Sequence, residues 1–92
     1  MTELDRLREL LRDTLQIGAK ADGLTEHTRL FGGLPEFDSV AIVSVVIAIE
    51  QEYGVKIADR ELSADLFESL GSLSRFIARK VDLQSSRNLA GA

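Results

Sequence analysis

The sequence predicts a small all-α protein: a four-helix bundle of three main helices and one short helix, with a long first loop. Three observations lead there. Leucines recur at helical spacing over residues 2–17, and apolar residues do so again after Ser69. The apolar run over residues 40–53 is too long for an ordinary strand of about 3–10 residues. No second convincing strand is available for it to pair with.

Taken in order, residues 2–17 read as the first helix. Leu4, Leu7, Leu11 and Leu15 share one face, with Leu10 beside them. Thr2 is placed to cap it, Glu3 and Asp5 suit its positive end, and Gly18 is a natural stop. Residues 18–37 form a connection longer than the usual limit of about 12–15 residues, so it should be packed rather than free. Leu24, Leu30, Phe31, Leu34 and Phe37 are its expected anchors, with a turn of helix over residues 25–30. Leu34-Pro35 favours an extended backbone and delivers the chain to Asp38 in a fixed direction.

Asp38 is a strong N-cap residue, and such a cap is worth about 1 kcal/mol over Ala. The helix it opens is unusual. Val40, Ile42, Val43, Val45, Val46, Ile47 and Ile49 are β-branched and favour strand on propensity alone. Length, the Asp38 cap, the stop at Gly54 and the polar close Glu50-Gln51-Glu52 favour helix, with packing overriding propensity. Val55, Ile57 and Leu62 anchor the next connection. Residues 63–67 read as the short helix, capped by Ser63. Ser69 or Ser72 caps a last helix running to about Val81, with Leu70, Leu73, Phe76, Ile77 and Val81 inside and Arg79 and Lys80 at its negative end. The expected organisation is one helical domain over residues 1–82 and a flexible tail over 83–92.

Composition excludes several functions. The 92 residues contain no Cys, so a disulfide, a zinc–thiolate site and a thiol nucleophile are ruled out. A net charge of −4 argues against nucleic acid and for partners with basic surfaces. No apolar run approaches the ~18 residues needed to span a bilayer, and the charged, amphipathic opening is unlike a secretory leader. The expected location is the cytoplasm and the expected state a monomer. Carboxylates are scattered without metal-ligand spacing. His27, the sole His, reads as a loop-surface residue: adjacent Asp38 and Ser39 cannot orient an imidazole between them, and no G-x-S-x-G elbow is present.

Ser39 therefore stands out for another reason. A hydroxyl in the first turn of a helix faces solvent where the partial positive charge favours an anion, which makes it a plausible attachment point for a phosphate-linked group. The following helix is apolar nearly all round, and a bundle this small covers only part of it. Some of Val40, Ile42, Val43 and Ile47 must then lie near solvent, as a partner or ligand surface. Val46, Ile49 and Leu73 are expected in the core or lining a pocket.

Asp38-Ser39-Val40 resembles the Asp-Ser-Leu signature of the acyl carrier protein family, at the start of the second helix as in that family. The resemblance continues through Ala48-Ile49-Glu50-Gln51-Glu52-Tyr53-Gly54-Val55, through Ile57 and Asp59, and into Leu70-Gly71-Ser72-Leu73, covering roughly residues 3–82. It implies a carrier rather than an enzyme, with a covalent 4′-phosphopantetheine at Ser39 beside Asp38, and with acyl cargo held as thioesters. The implied partners are a phosphopantetheinyl transferase and acyl-loading and acyl-transferring enzymes. Glu36, Val40, Ile42, Ile47 and Glu50 are the expected docking residues. Two departures matter. Val40 replaces Leu, and no acid lies between Asp38 and Glu50, where the common fatty-acid carriers bear acidic residues. That points away from housekeeping fatty-acid synthesis and towards a specialised lipid, polyketide or surface-polymer pathway. The stretch from Leu34 to Ser39 also resembles stand-alone carriers of exosortase and exopolysaccharide systems. A peptidyl or aminoacyl carrier, a plain helical interaction domain and a small hydrolase using Ser39 are the competing readings.

Overall fold

The computed structural model describes the backbone of residues 2–91 and the side chains of residues 2–83. Three α-helices form it: α1 (Glu3–Leu15), α2 (Ser39–Tyr53) and α3 (Leu70–Gly91), with 3₁₀ segments at Gly18–Gly23 and Asp59–Glu61. Among the described residues there is no strand, only an isolated antiparallel bridge between Arg29 and Ser69.

The opening of α1 is fixed by two reciprocal bonds. Thr2 Oγ1 accepts from the Asp5 amide at 3.1 Å, and Asp5 Oδ2 accepts from the Thr2 amide at 3.0 Å. Leu7, Leu10 and Leu11 are buried, while Leu4 and Leu15 pack half-buried at the core edge. The helix ends earlier than the sequence suggests. Gln16 adopts a left-handed conformation (φ 55°) and its amide bonds back to the Arg12 carbonyl, so the chain turns before Gly18.

The first connection is packed, as expected, but its details differ. Its 3₁₀ segment lies at Gly18–Gly23 rather than over residues 25–30, where there is a single turn with the Thr28 amide on the Thr25 carbonyl at 3.0 Å. Leu24, Leu30 and Phe37 are buried and Leu34 is half-buried. Phe31 is no anchor: it is exposed. The amides of Leu30 and Phe31 bond to the carbonyls of Glu68 and Phe67, and those of Gly33 and Leu34 return to the Leu30 carbonyl, so Phe31 sits in a turn while Leu30 is enclosed.

The same loop is tied to α3. The Leu70 amide donates to the Thr28 carbonyl at 3.0 Å, and the Gly71 amide to the Glu26 carbonyl at 2.8 Å. A Cβ on Gly71 would lie 2.7 Å from that carbonyl oxygen, so the close approach requires glycine. Ser69 and Ser72 exchange bonds, each hydroxyl accepting from the other's amide at 3.1 Å, so both take part in capping α3.

Three corrections fall in the C-terminal half. Residues 63–67 form turns rather than a helix, with Leu66 and Phe67 both drawn into the core; the short helical element is instead the single 3₁₀ turn at Asp59–Glu61. The backbone of α3 continues to Gly91, past the end near Val81 that the apolar spacing predicts. No Gly or Pro interrupts it between Gly71 and Gly91; Ala92 lies outside the described residues. Arg79 and Lys80 therefore sit within the helix rather than at its end, and Val81 is exposed. Lys80 Nζ donates to Glu61 Oε1 at 2.8 Å, joining α3 to the 3₁₀ turn.

The core lies where the three helices and the first loop meet. Leu7, Leu11, Leu30, Val45, Ile49, Leu70 and Leu73 are fully enclosed. Burying a side chain of this size contributes about 1.5–3 kcal/mol. Among the described residues, no buried side-chain polar atom lacks a partner.

Candidate functional site

The N-terminus of α2 is positioned from both sides. Before it, the Phe37 ring is buried against Phe67, with ring centroids 5.5 Å apart, and the Phe37 amide donates to the Leu34 carbonyl at 3.0 Å. After it, Val45 and Ile49 fix the helix in the core. Between these anchors Asp38 is extended (φ −103°, ψ −174°). Its Oδ1 accepts from the Ala41 amide at 2.8 Å, and its carbonyl from the Ile42 amide at 2.9 Å. This is the capping expected of Asp38.

Ser39 is the first residue of α2 and is exposed. Among the described residues, its hydroxyl has no hydrogen-bond partner within the chain, and the amides of Ser39 and Val40 have no acceptor. Those two amides are the unsatisfied donors that a helix start presents to an anion. An exposed hydroxyl beside free amides fits a phosphodiester-linked group.

Among the described residues, no base is hydrogen-bonded to the hydroxyl. The Asp38 carboxylate is engaged as the cap. His27 lies in the turn between Thr25 and Thr28, its side chain 88% exposed, with Nε2 3.3 Å from Glu26 Oε1. Among the described residues, no group of His, Asp or Glu is arranged to hold a metal ion, and no helix is long and apolar enough to cross a membrane.

The expected docking residues divide. Val40 is 75% exposed and Ile47 49%, and Val43, at 59%, joins them in one apolar stripe with the exposed Ser44. Ile42 is half-buried against the core, so it belongs to the inner side of α2; Val46 is likewise half-buried. Glu50 has a bond within the chain. Its Oε2 accepts from the Ile57 amide at 2.8 Å, fastening the connection after α2 to the helix. Glu36 is also engaged: Lys20 Nζ donates to both of its carboxylate oxygens at 2.9 Å. That bond, helped by the Glu36 amide, holds its carboxyl below the usual carboxylate range.

Sequence reasoning missed Lys20 and Phe31 as neighbours of this region. Nothing in the spacing around Lys20 announces its partner. The exposure of Phe31 had a signal in the Gly32-Gly33 pair that follows it, since φ of +88° at Gly32 turns the chain there. Phe31, Gly32, Gly33, Leu34 and Pro35 line a shallow groove that ends at Asp38 and Ser39.

A family model described as phosphopantetheine attachment site matches residues 5–77. Among solved structures, the chain is similar to a holo acyl carrier protein from Nitrosomonas europaea determined by solution NMR, at 39% sequence identity and a TM-score of 0.81; the similarity covers 89% of this chain and 99% of that one. A helical fold that presents a hydroxyl at the start of its central helix, a family match across its core and this structural likeness lead to one assignment: the chain belongs to the acyl carrier protein family, whose members bear a covalent 4′-phosphopantetheine and are carriers rather than enzymes.

Proposed function

We propose that this chain carries acyl intermediates as thioesters on a 4′-phosphopantetheine arm attached at Ser39, and presents them to enzymes of a specialised lipid, polyketide or surface-polymer pathway. The observation that carries the reading is the Ser39 hydroxyl, exposed and, among the described residues, without a partner at the first residue of α2. When bound, the group supplies a terminal thiol for the acyl thioester. In priming, Ser39 Oγ bonds to the phosphorus of coenzyme A that bears the pantetheine. The bond from that phosphorus to the adenosine bisphosphate breaks, the bisphosphate leaves, and the hydroxyl proton passes to a base of the transferase.

The remaining chemistry belongs to this chain's residues. Asp38 holds the first turn so that Ser39 Oγ faces outwards. The free amides of Ser39 and Val40, with the dipole of α2, favour the phosphodiester by about 0.3–1 kcal/mol. Lys20 offsets the charge of Glu36, which lowers the repulsion that an incoming phosphate meets. His27, the residue best suited to act as a base on a thioester, lies exposed in the Thr25–Thr28 turn beside Glu26.

Partner choice is read here from the apolar stripe of Val40, Val43 and Ile47. Between Asp38 and Glu50 the helix offers no charge for a basic enzyme surface to recognise. Transferases and acyl-handling enzymes of the cytoplasm would meet a monomeric carrier through this stripe, by apolar burial more than by ion pairing.

The test is an intact mass after incubation with coenzyme A, magnesium and a broad-specificity phosphopantetheinyl transferase. The expected result is one phosphopantetheine on the wild type and none on Ser39→Ala. An unmodified wild type overturns the carrier reading and favours a plain helical interaction domain.

A further inference from the structure

The groove beside Ser39 includes two residues without side chains. Gly32 and Gly33 line it together with Phe31, Leu34, Pro35 and Ser39. Two features show that its shape is built. A Cβ on Gly33 would lie 2.2 Å from the Arg29 carbonyl oxygen, so the loop is folded against its own backbone and only glycine fits. At Gly32 the φ of +88° excludes ordinary side chains in favour of glycine, and nothing lies within 4 Å of where a Cβ would stand, so the groove is open to solvent on that side. The loop is also latched. The Phe31 amide donates to the Phe67 carbonyl at 3.0 Å, and the amides of Gly33 and Leu34 both reach the Leu30 carbonyl. Phe31 thus holds a large apolar ring, 44% exposed, on a fixed backbone. Such exposure contributes little to folding.

We infer that this groove is a resting site for the chain's own prosthetic arm, with the Phe31 ring as its apolar platform. The inference rests on attachment at Ser39. The tether itself names the occupant. A group fixed beside the groove samples it at an effective concentration in the millimolar range or above, which no free ligand of the same chemistry matches. The chemistry agrees as well. A pantetheine arm carries a branched apolar segment and two amides. The groove offers an aromatic face, proline and leucine surface, and the Gly32 amide, which has no acceptor within the chain among the described residues. No carboxylate other than the capping Asp38 lines it. The docked arm lies along the first loop, so the stripe of Val40, Val43 and Ile47 stays open for an enzyme. A partner that seats on that stripe can then draw the arm off a weak platform into its own tunnel.

The experiment is solution NMR of the isotopically labelled apo and holo proteins, with the intact mass recorded first. The expected result is nuclear Overhauser contacts between the arm's geminal methyls and the Phe31 ring, with amide shifts on priming that are larger at Phe31, Gly32 and Gly33 than at Val43 and Ile47. Phe31→Ser, which keeps the backbone bond to Phe67, should lower the docked population about fivefold, as loss of one aromatic contact does. Leu83→Ser, which removes another exposed apolar side chain, should leave it unchanged. If Ser39 stays unmodified, both this inference and the carrier reading fall. If the arm attaches but contacts Val43 and Ile47, or no residue at all, only the groove is refuted.

Discussion

Replacing Glu50 separates two roles for one carboxylate. In the resemblance to acyl carriers, Glu50 reads as a docking charge; in the structure its Oε2 accepts from the Ile57 amide at 2.8 Å, and Ile57 is 9% exposed. Glu50→Ala leaves that sheltered donor with no acceptor, which costs about 1–3 kcal/mol. Taking about 2 kcal/mol, and about 4–8 °C per kcal/mol for a domain of this size, the melting midpoint should fall by about 8–16 °C. Glu50→Gln keeps an acceptor oxygen at the same reach and loses only the charge assistance, so its loss should stay below about 1 kcal/mol. Urea unfolding of the three proteins measures both values, and transfer to a cognate enzyme, assayed well below each midpoint, should be the same for all three. A Glu50→Ala protein as stable as wild type, combined with slower transfer, would refute the structural role and return Glu50 to the docking surface.

Asp38→Ala removes the bond to the Ala41 amide and should destabilise by about 1 kcal/mol in urea unfolding, with faster hydrogen exchange confined to the first turn of α2. Ile42→Glu places a charge against the core and should cost about 2 kcal/mol, whereas Ile47→Glu on the exposed stripe should stay within about 0.5 kcal/mol yet impair acyl transfer. Gly33→Ala drives a Cβ into the Arg29 carbonyl and should destabilise by about 2 kcal/mol, with amide shifts centred on the first loop. The pH response has a definite sign. Lys80 and the Ala58 amide hold Glu61 below the ordinary 4.5, Lys20 does so for Glu36, and the Thr2 amide and hydroxyl hold Asp5 below 3.8. Each contributes stability that is present above its unfolded value and is lost as pH falls through the lower folded one, so the urea midpoint should drop on acidification below about 4.5. Lys80→Met should flatten that drop.

What was legible follows from where the determining forces are local. The Asp38 cap, the glycine stop at Gly54 and the leucine face of α1 are short-range patterns, and α2 and the start of α3 lie where they place them. The start of α2 also placed Ser39 at a surface turn. Illegible features depend on contacts between distant segments. Glu50 is bonded by Ile57, Glu36 by Lys20, and Glu61 by Lys80, and none of these pairings leaves a periodicity to read. Phe31 was misassigned because burial was inferred from residue type, while the outcome was decided by the bonds that its own amide and that of Leu30 make to Phe67 and Glu68. The length of α3 was underestimated because a small, polar composition after residue 83 was read as a stop, although it contains no residue that breaks a helix.

The composition of α2 makes sense only when fold and function are separated. Val45 and Ile49 are enclosed, and their β-branched side chains contribute through packing. Val40 and Val43 are exposed at 75% and 59%, and Ile47 at 49%, so their packing contribution is small. At solvent-facing helix positions, β-branched residues cost up to about 0.7 kcal/mol each relative to Ala. The fold therefore does not ask for valine or isoleucine there; alanine, lysine or glutamate would serve the helix better. A surface that lowers helix propensity and exposes apolar area is the basis for proposing that the stripe binds a partner. Ser39 opens that same helix, one residue before Val40, so a partner that covers the stripe also reaches the hydroxyl and anything tethered to it. The absence of charge along the stripe then has a consequence for selectivity. On the proposed docking reading, an enzyme with an apolar seat gains from Val40, Val43 and Ile47, whereas one that relies on a basic patch meets no charge on α2 before Glu50.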